Sequence, residues 1–70
     1  MKKLILTVNG DQIEVPNTVK TIAGLLQHFE LHQKVVIVEK NAEILEKAKH
    51  TETLISDKDK IELVHFVGGG

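Results

Sequence analysis

The first apolar run, LILTV at Leu4–Val8, is rich in strand-forming residues, and QIEV at Gln12–Val15 alternates apolar with polar positions. Between them stands Asn9-Gly10-Asp11, the strongest short-range hairpin signal, so the pattern predicts a β-hairpin closed by Pro16. The period then changes. Ile22, Leu25, Leu26 and Phe29 fall at i, i+3, i+4 and i+7, one face of an amphipathic helix with Thr21 or Thr18 as its N-cap. Gly24 lies inside that helix at a cost of about 1 kcal/mol against alanine, and close packing on a sheet is the expected reason. KVVIVEK, Lys34–Lys40, is a β-branched run of the kind found in interior strands with both faces at least partly covered. Ala42–His50 fits two descriptions: Asn41 suits a turn and Ile44-Leu45 a short edge strand, whereas the Glu/Lys-rich remainder suits a helical turn. Ser56–Lys60 is turn chemistry, and IELVHFV, Ile61–Val67, is a last strand with no breaker before the glycines.

Strand, strand, helix, strand, short strand, strand is the order of an α+β domain of β-grasp type. The expected form is a mixed sheet of about four or five strands with one main helix packed on one face. The third long strand should return through a right-handed crossover, which leaves the last strand in the middle of the sheet. The whole chain, residues 1–70, is expected to be a single β-grasp domain with 68–70 as a flexible glycine tail. Seventy residues bury only about 60% of the surface the unfolded chain exposes, so each apolar stripe is needed for stability.

Composition narrows the chemistry. There is no cysteine, which excludes a disulfide framework, a thiolate metal site, an iron–sulfur cluster and a thiol nucleophile. Nine lysines and no arginine face ten acidic residues for a formal net charge of −1, a poor surface for tracking nucleic-acid phosphates. Phe29 and Phe66 are the only aromatic residues available for stacking on bases or cofactors. The longest apolar run, Val35–Val38, is too short to span a bilayer and the amino end lacks a signal-peptide pattern, so a cytoplasmic protein with no membrane partner is expected. His28 and His32 stand at i, i+4 without an HExxH arrangement, and Asp57 and Asp59 lack the glycine and terminal glutamate of a calcium loop. They read as a solvated helix face and a turn, with no metal. His65 reads as a sheet histidine satisfied locally. No nucleophile, base and orienting group come together in the pattern, so no catalytic residue is expected and catalysis is assigned to partners.

A run of glycine alone describes a disordered chain end. At the end of a complete β-grasp it is more specific. The Asp-containing turn leading into a last strand, LISDKDKIELVHFVGGG, resembles the ubiquitin-like sulfur-carrier proteins. The short length, the NGD hairpin, the VVIVEKN strand and the HFVGGG ending are most similar to the thiazole-forming carriers of thiamin biosynthesis, the ThiS family. The small subunit of molybdopterin synthase is the nearest relative, and that destination stays open, as does a ubiquitin-like modifier joined to other proteins through Gly70. Gly68, a third glycine, departs from the wider family's ending.

The resemblance implies a protein co-substrate with no bound cofactor. An E1-like adenylating enzyme consumes ATP to activate the Gly70 carboxylate. Sulfur from a cysteine-desulfurase-type donor protein converts it to a thiocarboxylate, and thiazole synthase receives that sulfur. Adenylation supplies a leaving group that a carboxylate lacks, replacing one hard step by two easier ones. Gly69 and Gly70 have no Cβ to strike the walls of an enzyme channel. For docking, alternation along the last strand assigns Ile61 and Leu63 to the core and leaves Val64 and Phe66 on the open face beside the tail. Either Val35 with Ile37 or Val36 with Val38 should extend that patch.

Overall fold

The computed structural model describes residues 3–65. Phe66 and the glycines Gly68, Gly69 and Gly70 lie outside the described residues. The elements are β1 Lys3–Val8, β2 Asp11–Pro16, α1 Ile22–His28, β3 Val36–Lys40, β4 Glu43–Leu45, a single 3₁₀ turn at Lys47–Lys49, and β5 Lys60–His65. The sheet order is β2-β1-β5-β3-β4, parallel between β1 and β5 and antiparallel elsewhere, which is the β-grasp layout. The expected central position of the last strand is therefore what the structure has. Leu6, Val15, Val38, Ile61 and Leu63 from the sheet meet Ile22, Leu25 and Leu26 of α1 in one buried cluster.

Local chemistry accounts for the boundaries. Asn9 and Gly10 both take left-handed φ, 51° and 85°, as the two-residue turn of a tight hairpin requires. Pro16 belongs to β2 instead of ending it: β2 is an edge strand, so the missing N–H costs no ladder bond. Of the two candidate N-caps the hydroxyl of Thr21 serves, accepting from the Gly24 amide at 3.1 Å. Ala42–His50 holds both of the structures its pattern allowed, β4 followed by the 3₁₀ turn. The Asn41-Ala42 turn before β4 again has two left-handed residues.

Two expectations are corrected. A Cβ on Gly24 would meet the Thr21 hydroxyl at 3.4 Å and Val19 at 3.9 Å, ordinary contacts with the cap and its neighbour, so no approach to the sheet demands glycine there. β3 is covered on one face only, because the sheet carries one helix: Val38 is buried while Ile37 is 43% exposed.

The helix ends with Glu30 at φ 61°, its amide donating to the Gln27 carbonyl and the Leu31 amide to the Leu26 carbonyl. This is the Schellman arrangement, with glutamate where glycine is usual. A left-handed non-glycine residue costs about 1–2 kcal/mol. Glu30→Gly is therefore expected to raise stability by about 0.5–1 kcal/mol after the added unfolded-state entropy of glycine. Gly24→Ala should gain a similar amount from helix propensity. Thermal unfolding checks both, and a fall in melting temperature for either would contradict its assignment.

Candidate functional site

β5 is the strand from which the chain leaves toward residue 70, and it is gripped from both sides. On the β1 side the regular ladder is short, pairing Thr7 with Lys60 and Val8 with Ile61. Asn9 prolongs it. Its backbone amide donates to the Ile61 carbonyl at 2.9 Å. Its side-chain Oδ1 accepts from the Leu63 amide at 2.7 Å, and its Nδ2 donates to the Leu63 carbonyl at 3.1 Å. The turn asparagine thus acts as one more residue of β1.

On the β3 side, Asn41 Oδ1 accepts from the Lys60 amide at 3.0 Å, and its Nδ2 donates to Asp59 at 3.2 Å. Asp59 is buried, accepts also from the Ser56 amide at 2.8 Å and lies 3.8 Å from the Lys40 ammonium. Asp57 accepts from the Ile5 amide at 2.7 Å, which ties the preceding turn to β1. Asp57 and Asp59 are the turn residues the pattern indicated, and they also hold β5 at its start.

Asn9 and Asn41 were legible as turn formers, but their grip on β5 was not, because a turn already explains an asparagine. Asn9→Gly keeps the left-handed turn and removes both side-chain bonds. Leaving the part-buried Leu63 amide without its partner is expected to cost about 1–3 kcal/mol. Denaturant unfolding measures the loss, and faster hydrogen exchange at the Leu63 amide locates it; unchanged exchange there would rule out the clamp.

Facing away from α1, Val64 is 53% exposed and stands opposite Ile37 in the β3–β5 register, with Val35, 72% exposed, just before β3. Of the two ways left open to extend the apolar face, Val35 with Ile37 is the exposed pair; Val36 is half-buried against the core and Val38 is within it. Ile61 and Leu63 are buried as assigned. Two residues along from Val64 and Ile37, and so on the same open face, Glu62 stands directly opposite Glu39, and Ile44 opposes Glu39 from β4. The face is apolar around Val64 and Ile37 and charged beside them, where Glu39 and Glu62 adjoin Lys60.

The histidine pair behaves differently from expectation. α1 ends at His28, so His32 lies in the following loop and the two do not share a helix face. Among the described residues no group of three or more histidine or acidic side chains could hold a metal ion, and no helix is long and apolar enough to cross a membrane.

The model of the ThiS family matches residues 3–70, nearly the full chain. The chain belongs to the ThiS family. The sulfur carrier protein ThiS of Bacillus subtilis is 44% identical over 66 residues, 94% of this chain and 100% of that protein. A crystal structure of the ThiS protein of Geobacter metallireducens matches with a TM-score of 0.79 at 35% identity, covering 96% of this chain and 100% of that one. A thiazole synthase of Paramagnetospirillum magneticum is 34% identical over 65 residues, 93% of this chain but 20% of that protein. A ThiS-like segment thus makes up one part of a larger polypeptide in that case.

Proposed function

We propose that this ThiS-family chain is a sulfur carrier of thiamine biosynthesis, a co-substrate and not a catalyst, that works through the carboxylate of Gly70. The observation that carries this reading is the match along the full length of a sulfur carrier protein. Of the two destinations left open by the residues alone, membership of the ThiS family supports thiamine over molybdopterin.

In the proposed cycle an E1-like partner binds ATP, and a Gly70 carboxylate oxygen attacks the α-phosphorus, releasing pyrophosphate and forming an acyl-adenylate. The outer sulfur of a persulfide on the donor protein then attacks the acyl carbon and AMP departs; a thiol reductant cleaves the S–S bond of the resulting acyl persulfide, leaving a thiocarboxylate on the carrier and a thiol on the donor. The carrier itself binds no cofactor, and its place of work is the cytoplasm. The occurrence of a similar segment within a thiazole synthase polypeptide supports thiazole synthase as the receiver. Tethering on a docked carrier raises the local concentration of sulfur there and keeps a reactive sulfide equivalent out of solution.

The chain's own contribution is mechanical. The clamps by Asn9, Asn41 and Asp59 fix β5, so the position of a docked sheet face determines where the chain beyond His65 begins. Val64 with Phe66 is the proposed docking pair, continued by Ile37.

The test is incubation of the full chain with the cognate adenylating enzyme, ATP and a sulfur donor, followed by intact mass measurement. Exchange of one oxygen for sulfur is expected. Conjugates with other proteins would instead establish a modifier, and an unchanged mass would overturn both.

A further inference from the structure

The turn between β1 and β2 brings a reactive pair of residues to the clamp on β5. Asn9-Gly10 is the only Asn–Gly pair in the sequence; Asn17 precedes Thr18 and Asn41 precedes Ala42. Asparagine is thermolabile, and when glycine follows it no Cβ shields the next backbone nitrogen from the side-chain carboxamide carbon. Both residues are exposed, and a Cβ placed on Gly10 would meet nothing within 4 Å, so base and water reach that nitrogen.

What opposes reaction is the grip already described. Asn9 Oδ1 accepts from the Leu63 amide at 2.7 Å and Nδ2 donates to the Leu63 carbonyl at 3.1 Å, while the Asn9 amide donates to the Ile61 carbonyl at 2.9 Å. The carboxamide is directed across to β5, and both of its polar atoms are engaged there. Bringing its carbon against the Gly10 nitrogen requires those two side-chain bonds to break.

We propose that Asn9 is a site of spontaneous, one-way covalent modification, held back by the clamp on β5 and destructive of that clamp once it occurs. The Gly10 amide gives up its proton and its nitrogen attacks Asn9 Cγ; a C–N bond forms, the Cγ–Nδ2 bond breaks, and Nδ2 leaves as ammonia after taking up a proton. The product is a cyclic imide. Water opens it at Cγ to give aspartate, or at the backbone carbonyl to give isoaspartate, in which the main chain runs through Cγ. Both products lack the Nδ2 donor. Aspartate sets a carboxylate oxygen against the Leu63 carbonyl, and isoaspartate adds a methylene to the main chain of a two-residue turn whose twist must match its strands. The consequence falls on β5, the strand that leads to residue 70.

The test uses the isolated full chain and needs no processing partner, so its failure is separable from failure of the sulfur-carrier reading. The chain is incubated at mildly alkaline pH, with and without urea above the unfolding midpoint, and the peptide holding Asn9-Gly10 is followed by mass. A gain of one mass unit confined to that peptide, eluting as an aspartate and isoaspartate pair, is expected at least about tenfold faster in urea, where both side-chain bonds are lost. Gly10→Lys places a side chain beside the attacking nitrogen; in urea, where folding plays no part, most of the conversion should be lost. The isoaspartate chain, separated and returned to buffer, is expected to exchange its Leu63 amide at least about tenfold faster than the parent. Should it fail to refold, Asn9→Asp reproduces the other product and should lower the melting temperature. No conversion in urea, equal rates with and without urea, undiminished conversion of Gly10→Lys, unchanged Leu63 exchange in the isoaspartate chain, or an unchanged melting temperature of Asn9→Asp would each overturn the proposal.

Discussion

Adding one residue after Gly70 is expected to abolish sulfur loading while leaving the domain as stable as before. The added residue moves the terminal carboxylate by about 3.5 Å along an extended chain. Misplacement of a reacting group by about 1 Å can already cost 10²-fold, so loading should fall by at least that factor. Stability should not follow, because the described pairing of β5 runs to Val36↔His65, five positions before Gly70, and the core contributions of that strand are Ile61 and Leu63. Intact mass after incubation with adenylating enzyme, ATP and sulfur donor reads the first quantity, and thermal unfolding reads the second. Loading of the extended chain at the unmodified rate would show that the Gly70 carboxylate is not the acceptor. Gly70→Ala separates position from clearance: the carboxylate stays in register and a methyl group is added, so a smaller loss is expected.

What the pattern of residues could reveal followed the range of the interactions involved. The hairpin, the helix face and the Thr21 cap are specified within a few positions of one another, and the sequence identifies them directly. The central place of β5 was accessible through connectivity, since a hairpin followed by a crossover leaves that position to the last strand. The unbroken apolar run of Val35–Val38 has no period of two, so its own residues could not say which face looks outward; pairing with β5 determines that by setting Ile37 against Val64. The bonds of Asn9 to Leu63 span 54 positions and occupy a residue already accounted for by its turn, which is why they left no separate trace. Gly24 misled for the opposite reason: glycine in a helix suggests a close neighbour, and here the neighbours are only the capping hydroxyl and Val19, at ordinary contact distance.

Val64→Asp is expected to weaken association with the tail-receiving enzymes by about 30-fold, the effect of removing an interface anchor worth about 2 kcal/mol. The side chain is 53% exposed and faces away from the core, so the folding cost is limited to strand propensity, about 1 kcal/mol at most. Val64→Thr keeps the β-branch and so serves as the folding control, with an intermediate loss of affinity expected. Ile37→Asp should act in the same direction, because it stands opposite Val64 and presents the same patch. The adjacent Glu39–Glu62 pair adds a second, separable contribution. Like charges directly opposite on neighbouring strands are destabilising in the free chain by about 0.2–1 kcal/mol, and a partner with a basic flank would relieve them on docking. Replacing both by glutamine should therefore stabilise the free chain slightly, slow association and flatten its dependence on ionic strength. Calorimetric affinities at two salt concentrations distinguish the contributions: the loss in the uncharged Val64→Thr should persist at high salt and the glutamate effect should fade. Full affinity of Val64→Asp for both the adenylating enzyme and thiazole synthase would remove this face from the docking surface and leave the tail to find its enzymes by another side of the domain.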